Sequence, residues 1–466
     1  MKKGPSLLVR LTIYPLVALI FVAIALYIML ISFGYTINFQ DGKITTTKTG
    51  IIIIASNPGD ANVYINDDLY RKKTSALPFF NLKINRLPAA EYQIKIEKEG
   101  YITWEGSVNV KPGYVTWLNY ILMIPEKTEE KPFNLPGEVK KIIASSDNNI
   151  LIVSAIDDEQ KIQTLWRIDT VSKNKSKVYE SPILEKSAID PVLVSYGNDR
   201  LLYKEIVDKK ESLKVRELKS NGQSWDITSQ FGVEFENIYF SPYSHDELYG
   251  LRVNNLYKIN FVQKNMSASL SKEVIGIYPN ENEMLLVQNT KDNFGLWKIE
   301  RNNDLKNIIK AIPASKNYQI TFSKESNYYL VYVADEKDLL HYSNGARNPT
   351  LETIGKDVTY YRLSSSARRV LIKSNSEIKT YDIEEEKYFD VIKNEKIIML
   401  DWIYDDSSLV YIADNQIFFV NYNGFYHNKI FETKSDLFFL VSPSGNNIYF
   451  TDKTVDKKTD LFVISL

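Results

Sequence analysis

Three histidines, His245, His341 and His427, are the only imidazoles in a 466-residue chain that has no cysteine. Imidazole serves as a metal ligand or as a proton carrier near neutral pH. The absence of cysteine excludes disulfides, thiolate metal sites and a cysteine nucleophile. The histidines lie far apart, with no HxxxH or HExxH spacing to set two of them on one helix face. Each reads as an ordinary loop or strand residue, so no metal and no cofactor are expected. No P-loop, strand-borne GxGxxG, GxSxG elbow or DxDxDG loop occurs. The serine run SSSARR (364–369) has no histidine or acid at a recognised spacing and reads as a polar turn. Carboxylates are abundant, but sequence alone cannot set two of them across a glycosidic bond. No catalytic, cofactor-binding or metal-ligating residue is assigned, and the expectation is a protein without enzymatic activity.

Charge narrows the partners further. Lys plus Arg number 57 against 58 for Asp plus Glu, a formal charge of -1. Proteins that hold nucleic acid neutralise phosphates with clustered cations, and that footprint is missing here. The runs EKTEEK (126–131), DKKES (208–212) and IEEEK (383–387) read as solvated loops. The 31 tyrosines and 6 tryptophans could stack on sugars or anchor a protein contact. β-Strands also favour aromatics, which accounts for most of them. Trp104 and Trp117 are expected in the core of a small domain. Trp166 and Trp297 recur at one position of a repeat and are expected to pack between units.

The elements that would position these residues begin with an apolar run. No Asp, Glu, Lys or Arg occurs from Leu11 to Gln40, and the apolar core Leu11 to Phe33 has the length of a membrane span. Lys2, Lys3 and Arg10 precede it, which puts residues 1–10 in the cytoplasm and everything after residue 40 outside. The expectation is a single-pass anchor over 11–34 in the plasma membrane. A cleaved signal peptide, with Ser32-Phe33-Gly34 as its site, is the alternative, but its apolar region is normally shorter.

Beyond the anchor, IIIIAS and NVYIND are β-branched runs separated by Asn57-Pro58-Gly59-Asp60, which predicts a hairpin. In EYQIKIEKEGY, Tyr92, Ile94 and Ile96 alternate with Gln93, Lys95 and Glu97, the pattern of a half-exposed strand. About six short strands make a compact all-β module over 50–125. The turn Pro58-Gly59-Asp60-Ala61 followed by Val63, Tyr64 and Ile65 resembles the PEGA domain. So do Leu87-Pro88-Ala89-Ala90-Glu91-Tyr92 and the closing Gly100-Tyr101. The family's Glu-Gly pair is Gly-Asp here, and alanine stands where glycine is usual before the tyrosine strand. The resemblance implies a small β-sandwich serving as a non-catalytic spacer or adhesion module of a bacterial surface protein.

From residue 138 to 466 one unit keeps returning: a polar turn led by Ser or Tyr, an apolar strand, a polar gap and a second strand. SSDNNILIV (145–153), YGNDRLLYK (196–204), SPYSHDELYGL (241–251) and YPNENEMLLV (278–287) begin the series. SKESNYYLVYV (323–333), SSSARRVLIK (364–373), YDDSSLVYIA (404–413) and SPSGNNIYFT (442–451) complete it. The starts fall about 37 to 51 residues apart, the range of β-propeller blades. Eight blades are expected, or seven if the second unit is an elaborated loop. The closing LFVISL reads as the third strand of the last unit. Residues 126–137 read as a linker whose Lys131-Pro132-Phe133-Asn134-Leu135-Pro136 supplies the missing fourth strand. The turns SPSGNN and SPYSHD resemble the WD40-like repeats of TolB-type bacterial propellers. Ser146-Asp147 and Ser442-Pro443-Ser444-Gly445 hold only fragments of the sialidase Asp-box.

The expected function is therefore binding or scaffolding in the bacterial envelope, with a protein or a glycan as partner and no nucleic acid. A propeller enzyme acting on envelope glycan or peptide, and an extracellular sensor subunit of a membrane complex, are the alternatives. Ligand-binding residues are not legible at this stage.

Overall fold

The computed structural model describes residues 7–40, 43–75, 81–183, 187–290, 293–323, 327–343, 349–375, 377–393, 396–403, 407–434 and 438–466. Lys2, Lys3, the Asp41-Gly42 turn and parts of the repeat turns at 323–327 and 404–408 lie outside the described residues. The chain divides into two compact units, Met1–Lys127 and Thr128–Leu466.

The first unit opens with α1 (Leu7–Ser32), a 26-residue helix that contains Pro15. At 1.5 Å per residue it is about 39 Å long. Its stretch Ile13–Ser32 is long and apolar enough to cross a membrane, and none of that stretch is buried. Gly34 ends it in the left-handed conformation (φ 77°), with its N–H on the Ile31 carbonyl at 2.9 Å. Eight strands follow: β1 (Tyr35–Gln40), β2 (Lys43–Asn57), β3 (Asn62–Ile65), β4 (Asp68–Leu69), β5 (Leu82–Pro88), β6 (Glu91–Glu97), β7 (Trp104–Asn109) and β8 (Val115–Leu122). They form two four-stranded sheets. In one, β2 pairs antiparallel with β1 and β5 and parallel with β8. The other runs β4-β3-β6-β7.

Alternation along each strand selects the core, because successive side chains point to opposite faces. Ile52 and Ile54 are fully buried, whereas Ile51 and Ile53 are only half-buried. Tyr92, Ile94 and Ile96 on β6 are buried, and Gln93 between them is exposed. Leu82, Ile84, Val63, Trp104 and Val108 join them from both sheets.

Two expectations need correction here. The runs IIIIAS and NVYIND do not form a hairpin with each other: β2 lies in one sheet and β3 in the other. Both edges of β2 at the isoleucines are already taken by β5 and β8, so the NPGD turn hands the chain across to the second sheet. A later residue, Thr74, ties that corner. Its hydroxyl accepts from Ala61 N at 3.0 Å and lies 2.7 Å from Ser56 Oγ. Its carbonyl accepts from Asp60 N at 3.0 Å. The second correction is Trp117, which is 55% exposed on β8, while Trp104 is buried as expected.

In the second unit the described residues form eight four-stranded antiparallel sheets. The first seven lie within 138–182, 187–226, 237–266, 274–312, 318–355, 358–393 and 397–432, each with its strands in sequence order. The second repeat unit, the weakest in sequence, thus forms a complete sheet of its own. A lone four-stranded sheet leaves both faces wet, so each must find a neighbour. Mixed apolar clusters supply the covers. Ile150 and Leu165 of the first sheet pack with Leu201 and Tyr203 of the second. Leu285 and Leu296 of the fourth pack with Val331 and Leu340 of the fifth. Trp166 and Trp297 pack against two such clusters, at the eighth–first and third–fourth junctions.

The eighth sheet brings only three strands of its own, Phe439–Val441, Asn447–Lys453 and Thr459–Ser465. Its fourth is β9 (Glu130–Pro132), antiparallel to the last strand with Pro132 opposite Phe462 and Glu130 opposite Ile464. Phe133 N donates to Leu461 O at 2.9 Å, and buried Leu135 packs with Leu151 of the first sheet and Tyr449 of the eighth. Tyr449 OH donates to Thr170 O at 2.7 Å across the same junction. The sheets therefore close on themselves, the arrangement of a β-propeller.

Candidate functional site

The recurrent serine-led turns are built on one hydrogen-bond pattern. In the first, second, sixth and eighth sheets a buried serine begins the turn between the first two strands: Ser145, Ser195, Ser364 and Ser442. Each hydroxyl accepts the N–H five residues on, from Ile150, Arg200, Arg369 and Asn447, at 2.9, 3.0, 3.0 and 3.1 Å. Each serine N–H donates back to the carbonyl of that same residue. The third residue after the serine adopts positive φ, 57° at Asn148, 57° at Asn198, 58° at Ala367 and 71° at Gly445. Asn and Gly are the residues that enter this region most cheaply. SSSARR is thus a turn of this kind, with Ser364 serving the backbone.

Neighbouring turns are stitched together. Asn198 Nδ2 of the second sheet donates to Asp147 Oδ2 of the first at 2.6 Å, and Asn148 Nδ2 donates to Val441 O of the eighth at 3.3 Å. Arg200 of the second sheet pairs with Asp246 of the third at 2.7 Å. The gathered turns surround a cavity of about 670 Å³ at one end of the ring. Its walls include Asp147, Tyr196, Tyr239, Glu281, Arg362, Asp401 and Trp402, and among the described residues seven of the eight sheets contribute.

Charge in this recess is held in two different ways. Asp401 is 11% exposed at its side chain and meets Arg362 Nε at 3.0 Å. Burial pushes the Asp401 carboxyl above the usual range, opposed by Arg362 and by the Trp402 N–H. Arg362 keeps 43% of its side-chain surface and lines the recess. Trp402 Nε1 donates to Arg362 O at 3.1 Å, binding the sixth and seventh sheets together at this point. At Asp147 burial also pulls upward, but hydrogen bonds outweigh it and hold the carboxyl below its ordinary value. The donors are Ser145 Oγ at 2.6 Å, Asn149 N at 3.0 Å, Asn149 Nδ2 at 2.7 Å and Asn198 Nδ2. Burial raises the Tyr196 phenol, with Tyr239 and Glu281 adding to the shift, so its hydroxyl stays protonated. The recess offers aromatic rings, phenol groups, the partly exposed Arg362 side chain and the exposed Glu281 carboxylate. That set can stack on and hydrogen-bond a polar ligand.

The three histidines are not brought together. His245 lies in a turn of the third sheet, His341 in the strand Asp338–Ser343 of the fifth, and His427 in a loop of the seventh. Burial lowers the His341 imidazole below its usual value, with Glu352 and Glu386 opposing. His427 Nε2 is hydrogen-bonded to Tyr411 OH. Among the described residues no group of His, Asp and Glu is arranged to hold a metal ion. Sequence reading missed Arg362 and Asp401, whose only signal was a charge near the end of an apolar first strand in consecutive repeats.

Residues 49–125 match the PEGA domain family model. No curated protein matches the chain. Among solved structures, an oligogalacturonate lyase in complex with manganese is 11% identical, covering 71% of this chain and 98% of its own, with a TM-score of 0.41. An oligogalacturonate lyase from Vibrio parahaemolyticus is 10% identical, covering 73% and 98%, with a TM-score of 0.41. Dihydro-heme d1 dehydrogenase NirN in complex with DHE is 10% identical, covering 72% and 75%, with a TM-score of 0.44. The propeller assignment rests on the closed set of sheets described above.

Proposed function

We propose that this chain is a membrane-anchored binding protein of the bacterial envelope. In this reading α1 spans the plasma membrane with the N-terminus inside, and the PEGA β-sandwich and an eight-bladed propeller stand outside. The propeller receives a protein or glycan segment in its axial recess. The observation that carries this reading is the recess itself, about 670 Å³ with Tyr196, Tyr239, Trp402 and Arg362 in its walls. A propeller sets such a recess where the ends of many strands converge, so that loops from different blades reach one ligand. Ligand sites are typically concave and largely apolar, with a few placed polar groups.

The test is retention of the detergent-solubilised full chain on glycan arrays, peptidoglycan and envelope-peptide arrays. Retention without turnover, reduced by Tyr196→Ala or Arg362→Lys, supports binding. Retention that both variants leave unchanged removes the recess from the account.

A second reading, catalysis, is favoured by three carboxylates in one recess, two of them shifted in opposite directions. Divergent carboxyl groups are the pattern of an acid–base pair. Both are committed to structure, however, Asp401 to Arg362 and Asp147 to the turn. Turnover of an arrayed glycan or peptide, lost in Glu281→Gln, would make the enzyme the better reading.

A further inference from the structure

Among the described residues, the outward face of the β2 sheet leaves apolar side chains exposed. The parallel pairing of β8 with β2 sets Val115 beside Ile51 and Trp117 beside Ile53. On the other edge of β2, Lys83 of β5 stands beside Ile53. Because Ile52 and Ile54 point into the core, these residues share the opposite face. Val115 is 40% exposed and Trp117 55%, and Tyr114, just before β8, is 68% exposed.

The place of this face in the fold indicates what covers it. Gly34, the residue that ends α1, is packed on Gly113: a Cβ on Gly34 would stand 2.2 Å from Gly113 N. Thr49 N donates to Gly34 O at 2.6 Å, and Gly113 N donates to Thr49 O at 2.9 Å. The apolar face therefore begins where the apolar helix stops. At about 3.3 Å per residue, Tyr114 and Val115 lie within about 7 Å of Gly113 along the chain, and Trp117, about 13 Å along, shares their depth when β8 runs oblique to the bilayer normal. A bilayer's polar layer is roughly 5–8 Å deep on each side of a core about 30 Å thick. Tyr and Trp concentrate at that depth, and cations beside them suit anionic headgroups. Phe33, 60% exposed, and the exposed Lys83 and Lys111 complete the pattern.

We propose that Tyr114, Val115 and Trp117, with Ile51 and Ile53, seat this face of the first unit in the headgroup layer of the bilayer that α1 spans. The inference rests on the reading of α1 as a span, and the experiment separates the two. The full chain is reconstituted in vesicles of mixed zwitterionic and anionic phospholipid, with or without bromine on the upper acyl carbons. Wild type minus Trp117→Phe isolates one of the six tryptophans. The expected result is a blue-shifted Trp117 emission that loses most of its intensity in brominated vesicles. Unquenched Trp117 emission from protein that resists carbonate extraction overturns the seating and leaves the span intact. Extraction by carbonate overturns the span and the seating together. Crosslinking between two copies through position 117, with no quenching, assigns the face to self-association and also overturns the seating.

Discussion

The two β-rich units use the same kind of strand, β-branched and aromatic, and resolve its second face in opposite ways. In the ring, each sheet lies between two neighbours, so strands such as Ser408–Ala413 are buried at every position. Among the described residues of the first unit, Ile52 and Ile54 are buried on one face of β2, while half-buried Ile51 and Ile53 share the other with exposed Val115 and Trp117. Among the described residues β8 pairs with β2 alone, so its far edge is also open. The difference lies in closure: a ring supplies cover from inside the molecule, whereas a small two-sheet module must find it elsewhere.

That contrast is most directly broken at the seam of the ring. Deleting residues 131–137 removes most of β9 together with Leu135, and should cost the second unit more than about 5 kcal/mol, an effect reserved for gross structural loss. Calorimetry of the full chain should show the ring transition fall by many degrees while the first unit's transition stays in place; an unchanged ring transition would refute closure by β9. Next in size is a test within the isoleucine run. Ile52→Ala should cost about 3 kcal/mol in the first unit, and Ile53→Ala less than about 1 kcal/mol. Equal losses in denaturant titrations would erase the distinction between the two faces.

At the recess, Arg362→Ala leaves Asp401 buried without its cation and should cost about 3 kcal/mol, at the low end because Arg362 is partly solvated. The two carboxyls there also predict opposite pH responses. Asp401 is raised by burial, so its contribution is present below the ordinary aspartate range and is lost as pH rises through its elevated value. Asp147 is lowered, because its hydrogen bonds exceed the burial effect, so its contribution is present above that range and is lost as pH falls through the depressed value. Asp147→Asn should therefore remove part of the acid-side loss in urea melts taken from pH 2 to 6, and Asp401→Asn should not. The smallest effect is expected at a turn. Ser364→Ala deprives the Arg369 N–H of its hydroxyl acceptor and should cost about 1–2 kcal/mol, read as a lower midpoint in urea melts of the full chain.

Much of the local architecture was legible before any coordinates. The alternation in EYQIKIE placed Tyr92, Ile94 and Ile96 in a core, because strand period alone assigns faces. The serine-led turns marked where apolar strands begin, because a hydroxyl acceptor and a left-handed Asn or Gly are local requirements. The hairpin expected at NPGD and the burial expected at Trp117 were wrong for a shared reason: which strand pairs with which is a long-range choice. Thr74 at the corner and β5 and β8 beside β2 come from distant segments, and no spacing in IIIIASNPGDANVYIND announces them. The recess was illegible for the same reason, since its walls come from turns scattered across nearly the whole ring.

The amino-acid sequence by itself determined the apolar helix, the strand faces, the turn chemistry and the PEGA resemblance, all of which depend on side chains within a few positions of one another. Tertiary structure alone decided that Arg362 meets Asp401, that Asn198 meets Asp147, and that Val115 and Trp117 line up with Ile51 and Ile53. Those meetings bring together residues far apart along the chain, and only sheet register and ring closure set them within contact distance.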